Sequence, residues 1–573
     1  MNEKKLIIPA FIFKPVYSEK VTIERIKRQD DVLEIEFPIF DKKDILEIAE
    51  KLALKKRRAH DRNIDDVLDV INQVGALWSN PNYDIRKETL EVLPMMTGQS
   101  KELCEIELMG TLVLWNKKTA EGQLFGEIGG KQYLEEWIPK GNVRIHAQPR
   151  GLVLHNLAGN AFNLGLLTLF FGLVTKNVNL IKLAHEEPLV TVKLCESIAD
   201  VDKKISKEIA ALYWQGSRGD IYDELFNSGN IDCVLAWGGI QSIEEIRRKA
   251  YRYGIKIIDN GPKLSFSIIS EDIFQNENKM QDIAQKVAID IVCWNQKACL
   301  SPRVIYVVDD PQKSTVVQEK LESHPTQINS GLSEVPAIKN SFFTTIDKMS
   351  PAKETDGFNI SVLMQRSVKM LKNKYSELSP IGFAKMLAKG LKKTDEMLPR
   401  AHLTQADGLE TAKKREYFFM NYVTRRLATI IYPPKNKLDW TVVYLRNLPT
   451  MMEVNMCQDR FVIVTRISNI QDLIHSIRKE KLQQYLQTIS IYGSDDFVKE
   501  VAEEFSLLGA YRFPRVGEHN IQPIGMPWDG HYTLQEMIKW VYIGFLTQEL
   551  DENEEGQISL FNGKKIPNES IQK

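Results

Sequence analysis

Cysteine is scarce in this chain: its six cysteines are scattered, and no two form a Cys-x-x-Cys pair. This spacing argues against a disulfide framework and against a zinc site, and it is typical of proteins from a reducing compartment. The chain also lacks an excess of one charge, since 75 basic residues are balanced by 76 acidic ones. A general binding surface for nucleic acid or for an anionic membrane is therefore not expected.

Long apolar runs are missing as well. The N-terminal segment has too short an apolar run for a signal peptide. The most apolar window, residues 164–174, reaches only about half of a membrane span and lies beside Asn160 and Asn163. The sequence thus predicts a cytoplasmic protein without an integral membrane segment, a nucleic-acid partner or a metal.

What the chain does contain is the composition of a globular protein. Of its 573 residues, 43% are apolar and 9% are aromatic, which is enough for well-packed cores. This length exceeds one ordinary core and predicts two or three domains. The last stretch, 549–573, is acidic and then polar, as is typical of a flexible tail.

Strand and helix patterns alternate in the first half of the chain. Residues 84–145 read as helix followed by a link that ends in a turn at 139–141. Strand-like runs follow at 151–154, 178–183, 231–237 and 255–259, separated by helical runs at 162–174, 188–201 and 242–253. This alternation predicts an α/β fold with a parallel sheet and helices on both faces.

A ligand of such a sheet is expected at the carboxyl ends of the strands. The turns at 157–160 and 237–239 lie at those ends. No G-x-G-x-x-G fingerprint occurs there, so the sequence does not support a standard dinucleotide motif.

A second unit begins near Lys263. Its predicted strands are 264–269, 303–308, 440–445, 461–467 and 488–492, and its predicted helices are 279–294, 380–393 and 470–482. Cys299 follows the first of these helices and precedes a strand. A thiol nucleophile needs such a position, because it is held rigidly and can be flanked by backbone N–H donors. Most unpaired cysteines are small buried apolar residues, and we expect Cys293 to be one of them.

Six segments, in order, resemble one known family. They are 155–160 (HNLAGN), 179–183 (NLIKL), 237–239 (WGG), 261–265 (GPKLS), 295–302 (NQKACLSP) and 525–530 (GMPWDG). The family is that of the long-chain acyl-CoA, or acyl-protein thioester, reductases, which includes the fatty-acid reductase of bacterial luminescence and is related to the aldehyde dehydrogenases. In the last segment Trp528 stands where the family has histidine. The resemblance covers roughly residues 90–545.

The resemblance implies an aldehyde dehydrogenase-like α/β fold with two parallel-sheet, Rossmann-like domains and a catalytic cysteine between them. The expected division is an N-terminal α/β extension (1–83), a cofactor-binding domain (84–262) that is rejoined by a segment near 510–548, and a catalytic domain (263–509).

The family also implies catalytic roles. Cys299 would attack the acyl thioester and hold the acyl group. Asn160 and the backbone N–H of Cys299 would then form the oxyanion hole. From its sequence context alone, Asn160 is an ordinary turn residue.

The implied cofactor is a nicotinamide dinucleotide. Lys182 would bind its adenosine ribose or the phosphate there, and Gly238 and Gly239 would let the backbone approach it. Many NAD-using dehydrogenases carry glutamate three residues after this lysine, whereas here the position is His185, which would not repel a 2′-phosphate. NADPH is therefore favoured over NADH, although the two glutamates that follow His185 weaken this inference.

One departure from the aldehyde dehydrogenases concerns water. Their water-activating glutamate corresponds at best to the shorter Asp259 here. A weak or absent water activator suits a reductase, because hydrolysis of the thioester would prevent aldehyde formation.

The sequence therefore predicts NADPH-dependent reduction of a long-chain acyl thioester through an acyl thioester on Cys299. The donor could be acyl-CoA, an acyl carrier protein or an acylated partner enzyme, with acyl-transferase or synthetase subunits as partners. A homo-oligomer is expected from the superfamily. Two alternatives stay open, namely a cysteine-dependent acyl transferase or thioesterase, and a non-catalytic subunit of a fatty-acid reductase complex.

Overall fold

The computed structural model of the chain describes residues 2–29, 31–216, 218–309, 378–400 and 403–544. The strands of this part form sheets of seven, six, three and three strands. The predicted tail at 549–573 lies outside the described residues.

The strands, numbered in chain order, are β1 (Asn2–Ile7), β2 (Ala10–Ile12), β3 (Pro15–Val16), β4 (Val21–Arg28), β5 (Asp31–Pro38), β6 (Ile138–Lys140), β7 (Val143–Pro149), β8 (Leu152–Asn156), β9 (Val178–Lys182), β10 (Ile209–Leu212), β11 (Cys233–Trp237), β12 (Lys256–Asn260), β13 (Leu264–Ile269), β14 (Pro302–Val308), β15 (Ala428–Ile431), β16 (Thr441–Leu445), β17 (Phe461–Ile467), β18 (Leu486–Tyr492) and β19 (Ile538–Gly544). The α-helices are α1 (Lys42–Ala53), α2 (Lys56–His60), α3 (Ile64–Ser79), α4 (Asp84–Thr97), α5 (Lys101–Leu112), α6 (Lys117–Ile128), α7 (Leu164–Val174), α8 (Leu189–Val201), α9 (Gly219–Asn227), α10 (Ile240–Arg252), α11 (Glu277–Val292), α12 (Pro380–Met397), α13 (Gln405–Phe418), α14 (Met451–Met456), α15 (Ile470–Lys479), α16 (Asp495–Ser506) and α17 (Thr533–Glu536).

The seven-stranded sheet has the order β12-β11-β8-β9-β10-β2-β3. Strands β8 to β12 are parallel, whereas β2 pairs with β10 in antiparallel orientation. Every residue of β8, β9, β10 and β11 is buried, because helices cover both faces of a parallel sheet. The carboxyl ends of these strands open towards the cleft described below.

The six-stranded sheet has the order β15-β16-β17-β14-β13-β18. Its strands are parallel except for β15, which pairs with β16 in antiparallel orientation. Helices α11 and α12 pack together against one face of this sheet, and their apolar residues form a core of their own. The turn that leads from α11 to β14 carries Cys299.

Two small sheets complete the described part. In the N-terminal one, β5 pairs in parallel with β1 and in antiparallel orientation with β4. In the other, β19 pairs with β7 over its whole length, and β7 also pairs with β6. The C-terminal segment thereby packs against the first half of the chain.

Helix caps position two segments that later matter for the site. Ser100 begins α5 by accepting a hydrogen bond from the backbone N–H of Leu103. Gly98 ends α4 with φ of 75°, a left-handed conformation that glycine adopts without a steric penalty. The short link between α4 and α5 therefore has a fixed path.

The sequence-based prediction of an α/β fold with parallel sheets is confirmed. The predicted strands 264–269 and 461–467 coincide with β13 and β17. The interpretation of 84–145 was wrong at its end, because residues 138–149 form the hairpin of β6 and β7. Strand β10 and helix α9 were missed. The predicted domain limits at 83, 262 and 509 stay a prediction.

Candidate active site

A cleft with a volume of about 1340 Å³ lies where the two larger sheets meet. It is lined by the turns after β8 and β11, by residues 260–263, by Cys299 and by Asp529. Strand β4 and the start of α13 also contribute, through residues 24–29 and 403–407. The structure thus brings Cys299, Asn160, Gly238 and Gly239 to one cleft.

The turn before Cys299 has an unusual backbone. Trp294, Asn295 and Gln296 have φ values of 58°, 47° and 61°. This left-handed conformation costs a non-glycine residue roughly 1–2 kcal/mol. Three such residues in a row therefore need strong support from their surroundings.

Side chains from distant parts of the chain supply this support. The amide of Asn295 donates to the carbonyl of Gly98 at 2.8 Å, and Arg460 Nε donates to Asn295 Oδ1 at 2.9 Å. Gln296 Nε2 donates to the carbonyl of Pro302 at 2.9 Å. The backbone N–H of Trp294 donates to Glu107. These bonds fix the path of the turn that leads to Cys299.

Glu107 lies on α5 and is buried. Its second oxygen accepts a hydrogen bond from Gln99 Nε2 at 2.6 Å. Burial raises the pKa of the Glu107 carboxyl to about 8, although the hydrogen bonds from Trp294 and Gln99 act in the opposite direction. The carboxyl is therefore largely protonated near neutral pH.

The Cys299 thiol has one side-chain hydrogen-bond partner in the described ranges, Gln487, whose Nε2 lies 3.5 Å from Sγ. Burial raises the pKa of the thiol to about 11, and the nearby carboxylate of Asp529 adds to this shift. The carbonyl oxygen of Cys299 accepts a hydrogen bond from Ser265 Oγ at 2.7 Å. The sulfur is thus held in place and is protonated at rest.

Asn160 is exposed at the cleft, and its Nδ2 donates to the carbonyl of Lys297 at 3.3 Å. An amide nitrogen carries two hydrogens. One of them therefore remains for a ligand in the cleft.

The turn between β11 and α10 is open to the cleft. A Cβ atom added to Gly239 would meet no atom within 4 Å, and one added to Gly238 would approach only Ser242, at 3.4 Å. Gly239 is also the N-cap of α10, and no side chain caps this helix. Its first N–H groups can therefore bind an anion such as a phosphate, so these residues fit a dinucleotide.

Lys182 and His185 lie at the end of β9, outside the residues that line the cleft. Lys182 is buried, and burial lowers the pKa of its amine although Glu186 opposes the shift. His185 Nδ1 lies 2.7 Å from Glu24 of β4, and its ring packs against Phe37. Burial raises the pKa of the Glu24 carboxyl, and His185 works against this shift.

Asp259 does not line the cleft. Its carboxylate forms an ion pair with Arg247 of α10 at 2.7 Å. The residues of this strand end that do reach the cleft are Asn260 and Gly261.

Sequence reasoning missed Glu107, Arg460, Gln487 and Asp529 as parts of the site. Only Asp529 belonged to a segment that the sequence had marked, 525–530. Glu107 lies in a helix, Gln487 in a strand and Arg460 directly before a strand. Nothing in their sequence neighbours indicates contact with Cys299 or its turn.

Comparisons with known proteins place this chain in a family. The family model described as acyl-CoA reductase (LuxC) matches residues 59–355 and 366–540. A long-chain acyl-protein thioester reductase of Aliivibrio fischeri is 24% identical over 485 residues, which cover 84% of this chain and 82% of that protein. The Vibrio harveyi protein of the same name is 28% identical over 255 residues, covering 44% and 52%.

Solved structures show the same fold. Aldehyde dehydrogenase 21 from Physcomitrella patens, in complex with the reaction product succinate, has a TM-score of 0.61 at 15% identity and covers 95% of this chain and 99% of its own. The NADP-dependent glyceraldehyde-3-phosphate dehydrogenase from Bacillus halodurans C-125, complexed with NADP, has a TM-score of 0.60 at 15% identity, covering 94% and 99%.

The fold is that of the aldehyde dehydrogenases, with Rossmann-like domains. The chain belongs to the acyl-CoA reductase (LuxC) family, and it is an oxidoreductase with acyl reductase activity. The resemblance inferred from the six segments is thereby confirmed. None of the helices in the described ranges is long and apolar enough to cross a membrane.

The buried carboxyl of Glu107 leads to a prediction about stability. Its pKa is about 8 in the folded chain, against an ordinary value of 4.5, so the folded chain binds the proton more tightly than the unfolded chain. Stability therefore falls as the pH rises from 4.5 towards 8. Between pH 5.5 and pH 8.5 the free energy of unfolding should fall by about 3 kcal/mol more in the parent chain than in Glu107→Gln.

Urea unfolding midpoints at these two pH values measure the effect. Glu102→Gln, on the exposed face of the same helix, is the control and should retain the pH dependence of the parent chain. The same pH dependence in Glu107→Gln and in the parent chain would show that Glu107 does not titrate in this range.

Proposed function

We propose that this chain reduces a long-chain fatty acyl thioester to the fatty aldehyde, with NADPH as hydride donor and with Cys299 as the acyl carrier. The main support is that Cys299 and the open glycine turn at Gly238 and Gly239 share one cleft. A thiol that can be acylated and a turn that can bind phosphate are two parts that this reaction requires.

In the proposed reaction, Cys299 Sγ attacks the acyl carbonyl, the bond to the donor sulfur breaks, and the donor thiol leaves. Asn160 Nδ2 and the backbone N–H of Cys299 stabilise the negative oxygen of each tetrahedral state. Gly238, Gly239 and Lys182 would hold the nicotinamide cofactor, which would supply the hydride for reduction of the Cys299 thioester. The bond from carbon to Sγ then breaks, and the aldehyde is released.

For the cofactor, we propose that Gly238 and Gly239 bind the phosphates at the start of α10 and that Lys182 binds the ribose or its 2′-phosphate. His185 would lie beside Lys182, with its Nδ1 engaged by Glu24. The absence of a glutamate at position 185 supports NADPH over NADH. The carboxylates of Glu24 and Glu186 nearby act in the other direction.

The donor follows from the relatives, which are named long-chain acyl-protein thioester reductases. We propose an acylated partner protein or acyl-CoA as donor, with an acyl-transferase or synthetase subunit delivering the acyl group. Self-association and a cytoplasmic location stay predictions.

Consumption of NADPH on addition of acyl-CoA, with aldehyde as product, tests the reaction. Acid or transferred acyl groups without aldehyde would contradict it.

Cys299→Ala should abolish aldehyde formation while NADPH still binds, because no other group replaces the thiol in a covalent route. Mass spectrometry of the parent chain given acyl-CoA alone should find the acyl group on the peptide that contains Cys299. Cys293→Ala is the matched control and should keep its activity. An adduct on Cys293 instead would contradict the assignment.

Lys182→Ala should raise the KM for NADPH more than the KM for NADH, because only NADPH carries a 2′-phosphate that the amine could bind. A charged contact of this kind contributes roughly 1.5–3 kcal/mol, which corresponds to about tenfold to a hundredfold. Fluorescence titration of both cofactors measures the binding directly, and Lys182→Arg should restore part of the preference. Equal losses for both cofactors would show that Lys182 does not contact the phosphate.

Asp259→Asn should change the rate of aldehyde formation by less than about tenfold, because this carboxylate is paired with Arg247 and no water need be deprotonated. Aldehyde and fatty acid are measured together under saturating NADPH. A loss of about a hundredfold, the size expected for a general acid or base, would show that Asp259 takes part in the chemistry.

A further inference from the structure

One amide group connects the nucleophile to a carboxylate. Gln487 Nε2, at the start of β18, donates to Cys299 Sγ at 3.5 Å and also to Asp529 Oδ1. Gln487 is buried, and both of its partners line the cleft. The thiol and the carboxylate therefore lie on either side of one hydrogen-bonding group.

The backbone holds Asp529 in this place. Asp529 has φ of 50° and is followed by Gly530 with φ of 81°. The turn is closed by two hydrogen bonds between Trp528 and His531, from each N–H to the other carbonyl, at 2.8 and 3.0 Å. A left-handed aspartate is uncommon and costs about 1 kcal/mol or more, and such conformations are found at functional sites.

The second oxygen of this carboxylate is available. Asp529 Oδ2 is shielded from solvent and accepts no hydrogen bond from the described residues. The Tyr511 hydroxyl lies beside the carboxylate and lowers the pKa of its carboxyl, although the pair falls outside strict hydrogen-bond geometry. A buried acceptor without a donor is costly, so this oxygen is suited to receive a proton or a water molecule.

Burial, and not the neighbouring charges, favours proton uptake by Asp529. Burial raises the pKa of its carboxyl, while Gln487 and Lys263 lower it. Burial also raises the pKa of the Cys299 thiol, to about 11. Both pKa shifts have the same origin, because burial in the cleft wall disfavours a negative charge on either group. The titratable and charged groups around the carboxylate are Cys299, Tyr511, Arg512, Lys263 and His531.

We propose that Asp529 is the general base that accepts the proton of the Cys299 thiol, directly or through one water molecule, and gives it to the departing donor thiol. The role rests on the function proposed above. As Sγ forms its bond to the acyl carbon, the S–H proton passes to Oδ2. When the bond from carbon to the donor sulfur breaks, that sulfur takes the proton, so the carboxylate is restored and the step is balanced.

This step needs no nicotinamide cofactor, so it is measured by itself. Asp529→Asn keeps an oxygen that can accept the Gln487 hydrogen bond but removes the base. Acylation of Cys299 by acyl-CoA, followed by quenching and intact-protein mass spectrometry, should be slower by about a hundredfold. Asp259→Asn is the matched control and should be acylated at the rate of the parent chain.

The rate at which iodoacetamide alkylates Cys299 should change in the opposite direction, so that it rises in Asp529→Asn. This reagent reacts with the thiolate, and the Asp529 charge raises the pKa of the thiol. Its removal should make alkylation severalfold faster at pH 7.5. A damaged site would slow both reactions, so this pair of results separates a base from a structural role.

The parent chain provides a second test that does not depend on folding of the variant. Its acylation rate should level off at a pH well below that at which alkylation levels off, because the base and not the thiol sets the rate. Parallel pH profiles, or an Asp529→Asn variant acylated as fast as the parent, would overturn the role of Asp529. A parent chain that neither acyl-CoA nor an acylated donor protein acylates would contradict the proposed function itself, and this role with it.

Discussion

The left-handed turn of Trp294, Asn295 and Gln296 is the constraint on which the site depends, because it sets where Cys299 meets the cleft. Its backbone is unfavourable by roughly 1–2 kcal/mol for each residue. Hydrogen bonds to charged groups contribute roughly 1.5–3 kcal/mol each, and Arg460 donates such a bond to Asn295. Arg460 is itself fully buried and paired with Asp395 at 2.6 Å. The turn is therefore stable only within the folded protein.

Burial has two opposite consequences in this cleft. It keeps the Cys299 thiol protonated, with a pKa of about 11, which protects the sulfur from reagents that need a thiolate. It also strengthens the interactions of the buried groups with charges and dipoles, because water screens them less. A thiol in such a place needs a base close to it in order to react, so the proposed function depends on which carboxylate lies near Cys299. Asp259 is held by Arg247, whereas Asp529 shares Gln487 with the thiol.

The sequence predicted the parallel-sheet fold and the segments around the cleft, but it did not predict how the site is held. Strands β13 and β17 were found with their observed limits because they are apolar runs bounded by polar turns. Strand β10 was missed because it has only four residues, Ile209–Leu212. Glu107 and Arg460 could not be found, since their contacts with the Cys299 turn span 187 and 165 residues. No local pattern reports contacts at such a separation.

The N-terminal strands give this cleft a wall that the family model does not cover, because the match begins at residue 59. Arg28 of β4 is buried and donates to the carbonyl of Met95 at 2.8 Å, and it lies 3.5 Å from Asp407 of α13. This one side chain thus joins β4 to both halves of the fold. Glu24 of the same strand engages His185. The charge near the end of β9 is therefore set jointly by Lys182, the following glutamates and a carboxylate from outside the matched region. We therefore propose that cofactor preference depends on that balance and not on position 185 alone.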